Sequence, residues 1–317
     1  MKKNPLKSAK ARAPATVANV AVGFDILGFA VDSVFETVEI KWIYEPKVVV
    51  NPVEGYPYLP LDPNKNTASA GLVRLIKDCG LKFGFELTLG KNIPLGSGLG
   101  GSSASAVASI VAANELLDDI LTKEEMFEYA LIGEEAASGS RHGDNVAPCL
   151  YGGLTLVRSC NPVDIIQIPY PKDMYCVFIT PNIRIDTNIS RSKLSNEVPL
   201  ANVIQQTSDL AGFIAGCYTN DYALIRRSLR DSIIEPQRAA QVPGFYEAQE
   251  AALKAGALGC SFSGSGPTIF ALARSEKSAL EIQKAIKERF VIYSVCEFHS
   301  WISPIRSKGA EVIEVQT

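Results

Sequence analysis

The chain has 317 residues, of which 47% are hydrophobic and 21% are charged. At roughly 150 residues per domain this length predicts about two domains. The composition is ordinary for a globular chain, which excludes a mainly disordered protein. The formal net charge is -3, from 31 Lys and Arg against 34 Asp and Glu. Since no broad basic field exists, we expect no nucleic-acid partner.

The sequence also limits the cellular setting. It has no apolar run of the roughly 18 residues that cross a bilayer, so we expect no membrane partner. The charged start, MKKNP, has no apolar stretch behind it, which argues against a signal peptide. The seven cysteines are scattered without a CxxC pair, and two histidines are too few for a His-rich metal site. These features predict a cytoplasmic protein with reduced thiols.

Hydrophobic periodicity predicts a mixture of strands and helices, which is typical of α+β or α/β folds. The predicted strands are 34–43, 85–89, 154–157, 175–180, 268–273 and 291–298. The predicted helices are 102–117, 245–256, 278–289 and one or more within 200–230. Another helix is predicted after Thr122, where Thr122 and Glu125 form a capping box, and it ends near Gly139.

A glycine-rich loop between a predicted strand and a predicted helix carries the clearest chemistry. Residues 94–104 read PLGSGLGGSSA, with four glycines between Gly96 and Gly101 and serines at Ser102 and Ser103. Glycines let backbone N–H groups approach a ligand, and the first turn of a helix attracts anions. The loop therefore predicts a phosphate site; the alternatives are a flexible linker or a plain helix cap.

Other motif classes fit this loop poorly. Gly96, Gly98 and Gly101 have the spacing of the dinucleotide fingerprint, but no second strand ending in an acid follows the helix. A Walker A loop needs Lys after its last glycine, where this chain has Ser102. A serine hydrolase is disfavoured because no GxSxG turn joins a predicted strand to a predicted helix.

Three motifs in order are similar to the signatures of the GHMP kinases, the family of galactokinase, homoserine kinase, mevalonate kinase and phosphomevalonate kinase. They are APATVANVAVGFD at 13–25, the glycine loop at 94–104 and GCSFSGSGP at 259–267. The loop departs from the family pattern PxxxGLGSSA, because GSS replaces SSA at its end. An ungapped register places the family's magnesium-facing serine at Ser102, with Ser103 as the alternative.

This resemblance implies an α+β fold of two domains. Residues 1–165 would form an N-terminal ATP-binding domain similar to domain 2 of ribosomal protein S5. Residues 166–317 would form a ferredoxin-like C-terminal domain, and ATP would lie between the two. Homodimers are common in this family, and no feature of the sequence establishes one here.

The resemblance also implies a site for ATP and magnesium. Ser102 and Glu134 are the expected magnesium ligands, Asn66 is expected near the adenine and ribose, and Lys91 near the phosphates. Taken alone, Glu134 would be interpreted as an exposed helix glutamate and Lys91 as a surface lysine. The loop residues expected to bind ATP are Pro94, Leu95, Gly96, Ser97, Gly98, Leu99, Gly100, Gly101, Ser102 and Ser103.

Four local patterns resemble the homoserine kinases within this family and imply that the acceptor is L-homoserine. They lie at 19–25, 142–145, 187–191 and 235–238. Arginine matches a carboxylate and aspartate matches an ammonium group, so we expect Arg191 and Arg238 on the former and Asp25 on the latter. The expected acceptor residues are Asn19, Asp25, His142, Asp144, Thr187, Arg191, Arg238 and Gly264.

The expected catalytic residues are Ser102, Glu134, His142 and Asn145. Related kinases have an aspartate where this chain has Asn145, and asparagine cannot take a proton at neutral pH. We therefore expect in-line phosphoryl transfer in which the hydroxyl proton passes to the γ-phosphate without a side-chain base. The alternatives are another GHMP kinase, acting on mevalonate or a sugar, and an inactive nucleotide-binding relative.

Overall fold

The computed structural model describes residues 7–139, 141–183, 185, 187–292 and 297–317. The strands are β1 (Ser8–Ala18), β2 (Leu27–Ile43), β3 (Val48–Val50), β4 (Gly84–Gly90), β5 (Leu154–Cys160), β6 (Val163–Ile168), β7 (Tyr175–Pro181), β8 (Gly259–Phe262), β9 (Ile269–Ala273), β10 (Phe298–Pro304) and β11 (Glu311–Gln316). The helices are α1 (Thr67–Asp78), α2 (Gly101–Leu116), α3 (Lys123–Ser138), α4 (Val146–Tyr151), α5 (Thr187–Ser192), α6 (Leu200–Thr219), α7 (Tyr222–Ser228), α8 (Glu235–Arg238), α9 (Phe245–Lys254) and α10 (Glu276–Ile292). The predicted α+β class is confirmed.

The larger sheet is organised by the long strand β2. Among the described residues it has seven strands in the order β11-β1-β2-β4-β3, with β5 paired to β2 and β6 to β5. One end of β2, Leu27–Phe29, pairs with β5, whereas its other end, 37–43, pairs with β4. Val38 and Ile40 are fully buried, as the alternation at 34–43 predicts.

Helix α2 lies against β1 and β2 and also packs on α1 and α3. Its side chains are mostly small and buried on nearly every face, as expected of a helix covered on all sides. This burial fixes the position of its first turn, and therefore of the glycine loop that leads into it from β4. The predicted capping box of α3 is present, with Thr122 and Glu125 bonded reciprocally and Gly139 at the C-terminus.

The smaller sheet has the order β10-β7-β9-β8 and is antiparallel among the described strands. Helices α9 and α10 pack on it around a second hydrophobic core. Of the predicted strand at 291–298, residues 291 and 292 instead belong to α10, and Phe298 begins β10. Residues 293–296 of that prediction lie outside the described residues. Ile282, Ile286 and Phe290 are fully buried at a four-residue spacing, which is the pattern of the apolar face of an amphipathic helix.

The predicted division of the chain at residue 165 stays a prediction. Strand β6 spans that position and belongs to the larger sheet, and β11 pairs with β1 in the same sheet. The smaller sheet, with α9 and α10, is built from residues between these two strands. In the part of the chain that the structure describes, no helix combines the length and the apolar character needed to cross a membrane.

Candidate active site

The glycine loop between β4 and α2 has a backbone conformation that glycine adopts most easily. Gly96, Gly98 and Gly100 have φ angles of 67°, 82° and 66°, all in the left-handed region. Gly100 is the N-cap of α2 and makes no side-chain capping hydrogen bond. No cap side chain therefore covers the positive end of the helix, which is the arrangement that suits an anion.

The third motif packs directly on this loop. The Ser263 hydroxyl donates to the carbonyl oxygen of Gly98 at 2.7 Å, and the Thr268 N–H donates to the carbonyl oxygen of Ser97 at 3.1 Å. A Cβ on Gly98 would lie only 2.3 Å from the carbonyl oxygen of Ser263. The two glycine segments, far apart in sequence, thus form one continuous wall.

A carboxylate on α3 faces the first turn of α2. The hydroxyls of Ser102 and Ser103 donate to Oε2 of Glu134 at 2.8 and 2.7 Å. Ser103 is fully buried whereas Ser102 is partly exposed, which favours Ser102 as the serine that reaches a ligand. Burial raises the pKa of Glu134, and the two hydroxyls oppose that rise. A cation at this carboxylate would favour its charged form.

The oxygens of Ser102 and Glu134 fit a magnesium ion that a nucleotide shares. Within the described ranges, no group of three or more His, Cys, Asp and Glu side chains could hold a metal. Magnesium prefers hard oxygen ligands and is usually held by one or two carboxylates, several waters and phosphate oxygens. The donor set therefore suits magnesium bound together with ATP better than a metal held by protein alone.

Lys91 and Asn66 are engaged inside the protein. The Lys91 Nζ lies 3.2 Å from Oε2 of Glu36, and both side chains are buried. Asn66 caps α1: its Oδ1 accepts from the Ala68 N–H at 2.9 Å, and its Nδ2 donates to the carbonyl oxygen of Pro60 at 2.8 Å. Their predicted contacts with ATP do not follow from this geometry and stay predictions.

A tight turn after β1 carries two of the predicted acceptor residues. Asn19 and Asp25 have φ angles of 69° and 63°, and the Asp25 N–H donates to Oδ1 of Asn19 at 3.1 Å. The Asn19 amide donates to the carbonyl oxygen of Gly264 at 2.9 Å, and Arg238 donates to the same oxygen at 2.8 Å. Residues other than glycine with positive φ cluster at functional sites. Here the turn places the Asn19 side chain beside Arg238, at the carbonyl oxygen of Gly264.

Two guanidinium groups flank the ring of Phe24. Arg191 and Arg238 lie 5.3 and 5.2 Å from the ring centroid, within the range of cation–π contacts. Arg191 also donates to Oδ1 of Asp25 at 2.6 Å. Arg238 is only 4% exposed, and its buried Nε has no hydrogen-bond partner. A substrate carboxylate would satisfy such a group, since a buried N–H left unpaired is costly.

Residues 142–145, HGDN, connect the acceptor residues to the glycine loop. His142 Nδ1 lies 3.7 Å from Oδ2 of Asp25, and burial lowers the pKa of His142, so the neutral imidazole prevails at pH 7. At the other end, Oδ1 of Asn145 accepts from the Thr16 hydroxyl at 2.7 Å. The same oxygen lies 2.7 Å from the position of a Cβ on Gly100. The two predicted halves therefore form one site.

Asp144 is buried within this connection, with 4% of its surface exposed. Burial raises its pKa to about 7, and the charges of Asp25 and Glu134 add to the rise. The pKa of Asp144 is therefore raised by the charges of a predicted acceptor residue, Asp25, and of a predicted magnesium ligand, Glu134. A carboxyl group with such a shifted pKa is typical of a functional cleft.

One predicted residue cannot be placed, and three residues of the site were not predicted. The side chain of Thr187 lies outside the part of the chain that the structure describes. Thr16 and Phe24 were missed although both belong to the first motif. The sequence also offered a reason to expect a role for Glu36. The alternation of β2 places Glu36 on the buried face, where a carboxylate requires a partner.

Comparison with known proteins gives two family-model matches. Residues 66–153 match "GHMP kinases N terminal domain", and residues 213–292 match "GHMP kinases C terminal". The first match contains the glycine loop and Glu134 together with residues 142–145. Together the two matches span more than half of the chain.

Curated relatives match nearly the whole chain. A homoserine kinase of Xylella fastidiosa (strain M12) is 42% identical over 306 residues, which cover 96% of this chain and 94% of that protein. A homoserine kinase of Chlorobaculum tepidum is 41% identical over 321 residues, covering 97% of this chain and 99% of that protein.

Solved structures agree with these matches. The crystal structure of homoserine kinase from Cytophaga hutchinsonii has a TM-score of 0.94 at 41% identity, with 99% of each chain covered. The crystal structure of L. major mevalonate kinase in complex with R-mevalonate has a TM-score of 0.70 at 18% identity, covering 96% of this chain and 98% of that chain. The second likeness concerns the fold alone, and it extends to both sheets.

Proposed function

The chain belongs to the GHMP kinase family, and from that premise we propose that it is a homoserine kinase. It transfers the γ-phosphoryl group of ATP to the side-chain hydroxyl of L-homoserine, giving O-phospho-L-homoserine for threonine biosynthesis. The observation that carries the acceptor assignment is the buried, incompletely bonded guanidinium of Arg238 beside the Arg191–Asp25 ion pair.

The charges of this ion pair match a zwitterionic amino acid. L-Homoserine has a carboxylate for Arg191 and Arg238 and an ammonium group for Asp25. An uncharged sugar would match neither charge, and mevalonate, which has no ammonium group, would offer no cation to Asp25. Asn19 and the neutral His142 supply further hydrogen bonds that orient the acceptor. The site therefore favours homoserine over the acceptors of the related kinases.

The glycine loop is the proposed site for the ATP phosphates. Its backbone N–H groups would hold the phosphates at the N-terminus of α2, where the helix dipole favours negative charge. Ser102 and Glu134 would hold magnesium, which supplies charge neutralisation on the phosphates when bound. Asn145, beside Gly100, would keep the acceptor close to the γ-phosphate. Phosphoryl transfer depends mainly on such positioning and charge stabilisation.

We propose that no side chain acts as an obligatory general base. Asn145 cannot accept a proton, and His142 lies on the Asp25 side of the site. The hydroxyl proton would pass to a γ-phosphate oxygen as the bond to the leaving group breaks. Replacing His142 with Gln and Asp144 with Asn tests this, since a general base typically contributes about 10²–10⁴-fold. A kcat drop beyond about 10³-fold with unchanged KM in either variant would identify that residue as the base.

An acceptor panel tests the proposed function directly. ADP release would be followed with homoserine, mevalonate, galactose, shikimate and no acceptor, each with ATP and magnesium. We expect release to require homoserine and the phosphorylated product to have the mass of O-phosphohomoserine. Turnover with mevalonate or galactose in its place would reassign the enzyme within the family. ATP binding without turnover on any acceptor would support an inactive relative.

Cellular location and assembly are further proposals. A cytoplasmic location is supported by the six described cysteines, which are all free.

A homodimer is common in the family, and its candidate surface here is the apolar face of α6. Leu200, Ile204 and Tyr218 are 72%, 62% and 56% exposed on that helix. If this face pairs with a second copy, Ile204→Glu will convert the dimer to a monomer in sedimentation experiments.

A further inference from the structure

We propose that the buried Lys91–Glu36 pair is a positioning device that ties the two ends of the glycine loop together and thereby sets the affinity for the nucleotide. This inference rests on the proposed nucleotide site. Lys91 was expected to touch the phosphates, but it is only 5% exposed and Glu36 only 1%. The pair would therefore act on the nucleotide through the loop.

Lys91 bridges the start and the end of the loop. It directly follows β4, whereas Gly101 is the first residue of α2. The Lys91 Nζ donates to the Ser105 hydroxyl oxygen at 3.0 Å and, more weakly, to the carbonyl oxygen of Gly101 at 3.4 Å. One ammonium group thus holds the first turn of α2, immediately beside Ser102, against the end of the preceding strand.

Glu36 anchors this arrangement to the sheet. Glu36 lies on β2, and the residue that follows it, Thr37, pairs with Gly90 at the end of β4. Its Oε1 accepts from the Ile93 N–H at 2.8 Å, while its Oε2 faces Lys91 at 3.2 Å. Burial raises the pKa of Glu36, and the charge of Lys91 is the largest opposing influence. The charge of Lys91 therefore helps to keep Glu36 in its charged form.

Stability alone does not require such a pair. A buried ion pair is often replaced by apolar groups of similar size without loss of stability, whereas removal of one partner leaves an uncompensated charge. The contacts of Lys91 are directed at the helix turn that carries Ser102, so loss of the pair would free that turn to shift. A shift of about 1 Å in a positioning group is enough to cost up to about 10²-fold in activity.

The test compares Lys91→Met, Glu36→Gln and the double variant. Glutamine keeps an oxygen for the Ile93 N–H, and methionine keeps the length of the lysine side chain without its charge. Calorimetry would give the Kd of a non-hydrolysable ATP analogue with magnesium, alongside the melting temperature and the KM for homoserine. We expect each single variant to bind the nucleotide about tenfold more weakly, with the KM for homoserine unchanged.

The double variant separates positioning from stability. With both charges removed, we expect its melting temperature to return close to that of the wild type, while nucleotide binding stays weak. Phe290→Leu is the matched control. Phe290 is fully buried in the second core, so this change should lower the melting temperature and leave the Kd unaltered.

Two results would overturn the inference. One is a wild-type Kd for the ATP analogue in both single variants. The other is a double variant in which both the melting temperature and the Kd return to the wild-type values. If a single variant fails to fold, the double variant alone decides, and wild-type affinity in it is again contradictory. The proposed function fails separately, if the wild type binds the nucleotide but does not phosphorylate homoserine. A wild type that binds no nucleotide would overturn both.

Discussion

The carbonyl oxygen of Ser263 lies 2.3 Å from the position that a Cβ on Gly98 would occupy. Gly98 also has a φ of 82°, which costs an L-residue about 1–2 kcal/mol. We therefore expect Gly98→Ala to separate the two glycine segments and to lower kcat/KM for ATP by at least about 10²-fold, since misplacement of the loop removes the positioning of the phosphates. Steady-state kinetics at varied ATP measure this.

Gly80→Ala is the control for Gly98→Ala. Gly80 has a φ of 59°, but a Cβ there would meet nothing within 4 Å. This change introduces the backbone strain without the collision, so it should cost a little stability and leave kcat/KM unchanged. Wild-type kcat/KM in Gly98→Ala would show that the packing of the two segments does not matter for nucleotide binding.

Replacing Glu134 with Gln tests its proposed role toward magnesium. The amide keeps the shape of the side chain but loses the charge that attracts the cation. We expect the magnesium concentration needed for half-maximal rate to rise about 10–100-fold, as measured by titrating magnesium at fixed ATP. Glu135→Gln, at the exposed neighbour of Glu134, should leave this concentration unchanged. The same response from both variants would contradict a specific role for Glu134.

Arg238→Ala tests the proposed carboxylate site. Truncation of a buried, hydrogen-bonded charge typically costs 2–5 kcal/mol of binding, so we expect the KM for homoserine to rise about 10²-fold or more. The KM for ATP should stay within about twofold, because Arg238 contacts Gly264 and Phe24 and not the glycine loop. Arg227→Ala, at an exposed arginine, is the control. Equal losses for ATP and homoserine would place Arg238 in the phosphate site.

Glu235 predicts how stability depends on pH. The side chain is buried, and burial raises its pKa to about 7 even though Ser261 and Gln249 donate to it. In the unfolded chain its pKa is about 4.3. Between these values the folded protein holds a proton that the unfolded chain has lost, so this group makes the free energy of unfolding fall as pH rises from about 4 to about 7. Above that range, its unfavourable contribution is fully present.

Glu235→Gln removes this contribution. We expect the melting temperature of the variant, relative to the wild type, to increase between about pH 5 and about pH 8. Thermal unfolding at several pH values measures the difference. Glu281→Gln, at an exposed position of α10, should shift the melting temperature by the same amount at every pH. A difference for Glu235→Gln that does not vary with pH would mean that the carboxyl group is already charged in the folded protein.

Local patterns were sufficient for much of the fold. Alternation at 34–43 and the capping box at Thr122 correspond to β2 and α3 as the structure has them, because both signals depend on neighbours a few residues away. The strand predicted at 291–298 is wrong at its start for the same reason, because residues 291 and 292 end helix α10. Two apolar residues are equally compatible with a strand and with the end of an amphipathic helix, and the packing of Ile282, Ile286 and Phe290 on the smaller sheet selects the helix.

The sequence by itself determined the α+β class and the family, and it predicted most residues of the candidate site, because glycine-rich turns and short polar motifs express their chemistry locally. Only the tertiary structure decided which of these groups meet. It turned Lys91 toward Glu36, placed the two guanidiniums on Phe24 and set Ser263 against Gly98. Such contacts join residues distant in the chain. They depend on burial and register across whole sheets, which no local pattern encodes.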